Sequence, residues 1–270
     1  MLFLDTPSSV FDDPSSPQFA ALQWLLEEDE FEVCPNSRNL EQRFVVAVLY
    51  FATNGSGWKS CSSGSDNENC DRKAFLSSGH ECGWGGVHCT NTGKIIWLHM
   101  DENNMVGSLP DELGGLTSLE EIIMDDNKLS GQIPGSLGSI ATLQVIDLDN
   151  NTLSGELPEN LFSASSLKVL DIDHNALTGT LSTKFGQLTN LYFLQLDMNS
   201  FTGGIPSELA GLNDLKYLSF FKTTLDGPIS QEFCGKDMTL YGDCRICIPP
   251  TSSENCCTAC LDDSTEKQNP

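Results

Sequence analysis

Leu143-Gln144-Val145-Ile146-Asp147-Leu148-Asp149-Asn150-Asn151-Thr152-Leu153-Ser154-Gly155-Glu156-Leu157-Pro158 is the stretch on which the fold of this 270-residue chain turns. Ile146 and Leu148 alternate with Asp147 and Asp149, the period of a half-buried strand. Asn151, Gly155 and Pro158 then punctuate the way out. The same unit, LxxLxLxxNxLxGxIPxxLGxL, recurs on both sides, with Leu119, Leu143, Leu167, Leu191 and Leu215 each 24 residues apart. An earlier unit begins at Ile95. A sixth decays after Leu215, where Thr223 replaces the Asn and Ser230 replaces the Pro. A fixed period of this length is the mark of stacked coils.

Each position has a mechanical reason. One short strand per coil, stacked in register, makes a parallel sheet with neighbours about 4.8 Å apart. The amides of Asn103, Asn127, Asn151, Asn175 and Asn199 are placed to satisfy backbone groups in adjacent coils. Gly107, Gly131, Gly155, Gly179, Gly203 and Gly227 permit a turn without a Cβ. Pro110, Pro134, Pro158 and Pro206 hold an extended return segment. No coil buries its apolar residues alone; the stack does. The expected fold is an α/β repeat solenoid, a right-handed arc with a parallel concave sheet, a helical N-terminal cap and a Cys-rich C-terminal cap. Its expected parts are a flexible N-terminus (1–14), a helical and disulfide-bonded cap (15–94), repeats (95–230), a cysteine-rich cap (231–260) and a disordered tail (261–270).

Outward from the repeats, Pro17 marks a helix start, followed by Phe19, Leu22, Leu25 and Leu26 as its apolar face. A second helix starts at a capping-box pattern, Asn39 and Gln42, with Leu40, Phe44, Val48 and Phe51 as its face and Gly55 or Gly57 as its end. Residues 59–80 read as a loop that Cys61 and Cys70 are able to close. The eleven cysteines cluster at the two ends and are absent between Cys89 and Cys234, which favours an oxidising compartment. Five lie in front, so one, Cys34, is left over or pairs elsewhere. The six behind are Cys234, Cys244, Cys247, Cys256, Cys257 and Cys260, and their pairing stays open. Cys244-x2-Cys247 with Cys257-x2-Cys260 also has zinc-site spacing, but Cys234 and Cys256 favour disulfides. The start, Met1-Leu-Phe-Leu-Asp5, is not a signal peptide, and no run is long enough to span a bilayer. An export or anchoring segment is therefore expected outside this chain, and any membrane attachment through such a segment.

At this point the unit resembles the plant-type leucine-rich repeat of receptor-kinase ectodomains and polygalacturonase-inhibitor-like proteins, and that of the leucine-rich-repeat proteins of diatoms. Cys82-Gly83-Trp84-Gly85-Gly86-Val87-His88-Cys89 resembles the N-terminal cap motif of the plant type. Tyr50 to Trp58 and the cysteine-rich tail look like the caps of the diatom members. The resemblance covers roughly residues 95–230 and both caps. It implies a Cys82–Cys89 disulfide, a Trp84 that covers the first coil, an extracellular setting and a receptor-like or adhesive role.

The strand residues supply the candidate ligand face, since odd positions share one side of the sheet. Asp101, Asp125, Asp149, Asp173 and Asp197 form one column. His99, Ile123, Asp147, Asp171, Gln195 and Ser219 form the next. Trp97, Glu121, Val145, Phe193 and Tyr217 lie in the edge column. These columns contain no Lys or Arg. Carboxylates stacked about 4.8 Å apart repel by roughly 1 kcal/mol per pair even in water. Solvent and salt, raised pKa values, a divalent cation or a basic partner must relieve this. The plainer reading is a solvated feature of the repeat; the sharper one is a patch centred on Asp147, Asp149, Asp171 and Asp173 that takes a Lys- or Arg-rich peptide or protein. Calcium is a lesser alternative, because no loop has EF-hand spacing.

Net charge, −24 from 38 acidic and 14 basic residues, excludes nucleic acid as a natural partner. No hydrolase, metalloprotease or nucleotide-binding signature appears, so no enzyme and no cofactor are expected. A structural or cell-surface matrix role that interacts with cations or wall material is the alternative. A hydrolase using Asp147 and Asp171 is a remoter one, since an open sheet offers no enclosed pocket. Asn54-Gly-Ser and Asn150-Asn-Thr are glycosylation acceptors if the chain is secreted. His80, His88, His99 and His174 are scattered, and ordinary exposed roles are expected of them.

Overall fold

Ser16, extended at φ −78°, accepts the amide of Phe19 on its side chain, and Pro17 supplies the first helical turn. Proline is tolerated there because its missing N–H has no partner in any helix. Helix α1 (Pro17–Glu27) follows. In this computed structural model, which describes residues 8–31, 39–62, 70, 72–247 and 256–261, its buried side chains are Ala21 and Trp24. Leu26, expected on the apolar face, is 76% exposed, and Phe19, Leu22 and Leu25 are half-buried. Trp24 reaches deeper and takes the core position. Residues Ser8–Phe11, expected to be flexible, form a 3-10 turn, and the Phe11 ring packs on that of Phe44.

Helix α2 (Leu40–Ala52) is buried without a break from Gln42 to Tyr50, so it is a core helix rather than a one-faced one. The capping box does not form. Asn39 is itself helical and makes no side-chain cap bond; its amide turns to His80. Gln42 instead donates to Glu81 and to the Gly93 carbonyl and accepts the amide of Ile95. It thereby pins the helix to the first repeat. The helix ends at Thr53, ahead of both expected glycines, and Asn54 adopts the left-handed conformation.

The strands are short and numerous: β1 (Val87–Cys89), β2 (Ile95–His99), β3 (Val106–Ser108), β4 (Glu121–Ile123) and β5 (Lys128–Gly131). Next come β6 (Val145–Asp147), β7 (Thr152–Gly155), β8 (Val169–Asp171), β9 (Ala176–Leu177) and β10 (Phe193–Gln195). The last are β11 (Thr202–Gly203), β12 (Tyr217–Ser219), β13 (Thr224–Leu225), β14 (Thr239–Asp243) and β15 (Ala259–Leu261). They form a nine-stranded sheet in the order β1-β2-β4-β6-β8-β10-β12-β14-β15, parallel throughout except that β1 runs against β2. A second line of pairs, β3-β5-β7-β9 and β11-β13, runs along the outgoing segments. Each coil then returns through a 3-10 turn. Pro110, Pro134, Pro158 and Pro206 cap four of these turns, and in the other two Ser182 accepts the amide of Lys184 and Ser230 that of Glu232 instead.

Between the layers lies one continuous core. In the Leu143 coil, Leu143, Ile146, Leu148, Leu153 and Leu161 are all wholly buried, each worth about 1.5–3 kcal/mol of transfer from water. The asparagine column works as expected. Asn127 accepts from the amides of Asn103 and Met105 in the previous coil and donates to the carbonyls of Met100, Met124 and Asp125. Gly107 has φ +128°, and a Cβ there would meet the Ala52 carbonyl at 2.1 Å, so this glycine lets α2 end against the first coil. Gly227 departs from its column: its φ is not left-handed, and its constraint is the Gly204 Cα, 3.0 Å from where its Cβ would stand.

The sheet continues past residue 230, where the repeats were expected to stop. Leu218 pairs with Leu240, a step of twenty-two residues rather than twenty-four, and β14 pairs with β15. Cys234–Cys256, Cys244–Cys260 and Cys247–Cys257 staple this added end, a pairing that favours the disulfide reading of these cysteines over the zinc one. Cys61–Cys70 and Cys82–Cys89 close the front. Trp84, wholly buried, packs against Trp24 and Phe75. Cys34 and most of the expected tail lie outside the described residues.

Candidate functional site

The strand register puts Trp97, His99, Glu121, Asp147, Asp171, Phe193 and Tyr217 on the long sheet, whereas Asp101, Asp125, Asp149, Asp173 and Asp197 follow just past the strand ends, and together they do not form one uniform patch. At the front, Trp97 pairs with Glu121 and His99 with Ile123. The Trp97 and His99 rings lie parallel, 5.6 Å apart, with the His88 ring tilted against both. His99 Nε2 is 2.9 Å from Glu121 Oε2. Burial and the Arg72 guanidinium hold the His88 pKa below the usual histidine value. His88 and Arg72 were not among the expected ligand residues. β1 lies outside the repeat period, and Arg72 sits in an irregular loop, so no column pointed to either.

At the far end Phe193 and Tyr217 stack, ring centres 4.4 Å apart and planes 7° from parallel. Tyr241, also missed, tilts against Tyr217 at 5.7 Å. It pairs with Ser219 and so extends the central column past the break in the period. Asp197 is satisfied internally: Ser219 donates to its carboxylate, as does the Phe221 amide. Asp101, at the other end of its column, is exposed.

The carboxylates concentrate between these aromatic ends. Asp147 and Asp171 are direct strand partners. One oxygen each from Asp125, Asp147 and Asp149 lie within 4.8 Å of one another. Asp173 was expected on the open surface, yet it is only 3% exposed. Its Oδ2 accepts from Gln195 Nε2 at 2.6 Å and lies 2.9 Å from His174 Nδ1, while its carboxyl also contacts that of Asp149. Desolvation is the main force on the group. Burial, and then the neighbouring carboxylates, push Asp149 up to about 7 and Asp171 up to about 8. Asp147 rises to about 6 for the same reasons. Asp197 also reaches about 6, through burial that its Ser219 and Phe221 donors only partly offset. Asp125 is raised as well, again mainly by burial. The repulsion read from the sequence is therefore relieved in part by protons retained on Asp149 and Asp171.

The two glycosylation acceptors, Asn54 and Asn150, are exposed. Asn150 is left-handed, φ 48°, and donates to Asp126 beside the acidic column. No helix among the described residues is long and apolar enough to cross a membrane.

A solenoid of parallel coils with one strand, one asparagine and one 3-10 return per turn defines a leucine-rich-repeat architecture, and the comparisons agree. The Leucine Rich Repeat family matches residues 118–140, 142–164, 166–188 and 190–212. A probable LRR receptor-like serine/threonine-protein kinase of Arabidopsis thaliana is 34% identical over 41 residues, 15% of this chain and 5% of that protein. The LRR ectodomain of the plant membrane receptor kinase GASSHO1/SCHENGEN3 from Arabidopsis thaliana, in complex with CASPARIAN STRIP INTEGRITY FACTOR 2, superposes with a TM-score of 0.58. It is 32% identical over 60% of this chain and 20% of its own length. Pollen Receptor Kinase 3 gives 0.59, with 28% identity over 66% of this chain and 88% of that one. The chain belongs to the leucine-rich-repeat proteins of the plant type. It spans only a small part of the curated kinase and of the first of these ectodomains.

Proposed function

We propose that this protein is a receptor-like recognition module of the extracellular side, which binds a peptide or protein segment bearing Lys or Arg along its strand face. The observation that carries the reading is the acidic centre between two aromatic groups. Asp147 and Asp171 on the sheet, and Asp125 and Asp149 just past the ends of their strands, are partly exposed, and no Lys or Arg stands in the three columns. A cationic side chain laid there gains charge pairing in a partly desolvated setting, and the rings at either end offer cation–π contacts. Because protons are held on the cluster at neutral pH, such a ligand would displace them as it binds. The structurally similar GASSHO1/SCHENGEN3 ectodomain is in complex with CASPARIAN STRIP INTEGRITY FACTOR 2, which supports recognition as the role of the present chain. Five disulfides favour an oxidising, extracellular setting.

The test is to pan a random-peptide display library on the immobilised full chain and on a variant carrying Asp147→Asn and Asp171→Asn. Enrichment of Lys- and Arg-bearing peptides on the wild type, lost on the variant, supports the reading. Equal enrichment on both, or enrichment without basic residues, overturns it.

A further inference from the structure

We propose that Asn54 carries an N-linked glycan whose innermost sugars lie in a cleft of the N-terminal cap and hold that cap closed. The Asn54-Gly55-Ser56 acceptor by itself marks only a point of attachment; the structure adds a place for the sugar. Asn54, Gly55 and Ser56 all line one cleft of about 450 Å³, within the roughly 300–1,000 Å³ of sites that enclose small ligands. Trp24, Tyr50, Phe51 and Leu76 form its apolar side. A second cleft of about 260 Å³ shares Trp24, Glu28 and Leu76 with the first and reaches Glu30, Ser77 and Ser78. Together they make one groove with the acceptor at its start. None of its lining residues belongs to the three strand columns.

Two further observations point to this occupant. Asn54 is exposed, and its side chain makes no hydrogen bond among the described residues. The other acceptor differs, since Asn150 Nδ2 donates to Asp126, a bond that a glycan there would disturb. Leu76 stands at φ +58°, a conformation that bulky side chains rarely adopt. Strain of this kind is kept where it serves a site, and here it sets an apolar side chain at the junction of the two clefts. The lining suits a sugar, which has apolar C–H faces and hydroxyl edges. Half-buried Phe51 and Leu76 would take a face, and the exposed carboxylates of Glu28 and Glu30 would accept from hydroxyls. The donor is a lipid-diphosphate oligosaccharide, supplied with its transferase to chains entering the secretory pathway. Asn54 Nδ2 attacks C1 of the terminal N-acetylglucosamine. The Nδ2–C1 bond forms, the C1–O bond breaks, the lipid diphosphate leaves with the electron pair, and Nδ2 gives up one proton.

The inference rests on the extracellular setting proposed above and not on the peptide ligand. For the test, the full chain is secreted from a eukaryotic host as wild type, Ser56→Ala and Leu76→Gly. Mass spectrometry of the Asn54 peptide reads occupancy, and hydrogen exchange is compared before and after an amidase removes the whole glycan. We expect Asn54 to be occupied, and exchange in Pro17–Glu27 and residues 73–78 to be at least about threefold slower with the glycan than without it. The coils around Leu191 should not change. Ser56→Ala should carry no glycan at Asn54 and exchange like the treated wild type. Leu76→Gly should keep the glycan, yet removing it should alter nothing. An empty Asn54 on the secreted wild type overturns the inference, as does equal exchange before and after removal. A removal effect that persists in Leu76→Gly overturns the groove. A chain that the host retains with its cysteines reduced counts against the extracellular setting itself, and the inference falls with it.

Discussion

Arg43, wholly buried in α2, donates through Nε and Nη2 to both carboxylate oxygens of Asp29, at 2.6 and 2.5 Å. Its Nη1 serves the Gly79 carbonyl and the buried Glu81, and its guanidinium lies over the rings of Trp24, Phe31 and Trp84. One cation thus ties the end of α1, the first turn of α2 and the Trp84 loop into the shield over the first coil.

Removing one partner of a buried pair leaves the other charge uncompensated. Asp29→Ala should therefore cost about 3 kcal/mol and lower the melting temperature by on the order of 10 °C. Hydrogen exchange should show the loosening in α1 and α2 and leave the coils around Leu191 protected, because coils couple chiefly to neighbours. Uniform loosening along the whole chain would contradict this account of the shield.

The acidic centre sets a pH dependence whose sign follows from its raised pKa values. Asp147, Asp149, Asp171 and Asp197 bind protons more tightly folded than unfolded. Their contribution to stability is fully present below about pH 4 and is lost as pH rises to about 8. Asp171→Asn should therefore raise the melting temperature at pH 8 relative to the wild type and change it little at pH 4. Thermal scans across this range read the difference. A wild-type advantage at pH 8 would place Asp171 in a different environment from the one described.

Asn151 Oδ1 accepts the Leu129 amide, and Nδ2 donates to the carbonyls of Met124, Leu148 and Asp149. Asn151→Ala orphans several buried backbone groups, at about 1–3 kcal/mol for each left without water. We expect a loss of about 3 kcal/mol or more by chemical denaturation, against less than about 0.5 kcal/mol for Glu156→Ala at an exposed position of the same coil. Similar losses at the two positions would refute the ladder.

Five disulfides are present among the described residues. Intact mass before and after reduction should differ by the ten hydrogens of those five bridges. Opening Cys82–Cys89, which brackets buried Trp84, by a Cys82→Ser, Cys89→Ser replacement should cost about 2–4 kcal/mol. A mass unchanged by reductant would remove the oxidising-compartment argument.

Much of this molecule was legible because its information is local. A 24-residue period, an alternating strand and an asparagine in each coil dictate the parallel stack, and strand parity alone assigns the Asp and aromatic columns. Residues whose roles depend on a distant partner were not legible. Gln42 matches a helix-capping pattern but serves Ile95 and Glu81, and Tyr241 joins the face only because the cap shortens the period to twenty-two. By itself, then, the sequence determined the coil, its columns and the clustering of cysteines at the two ends. Tertiary structure alone decided which cysteines pair, that Asp173 is sealed while Asp101 lies open, and that Arg43 is held between two carboxylates. Each of these depends on burial and on distances between segments far apart in the chain, which no local pattern encodes.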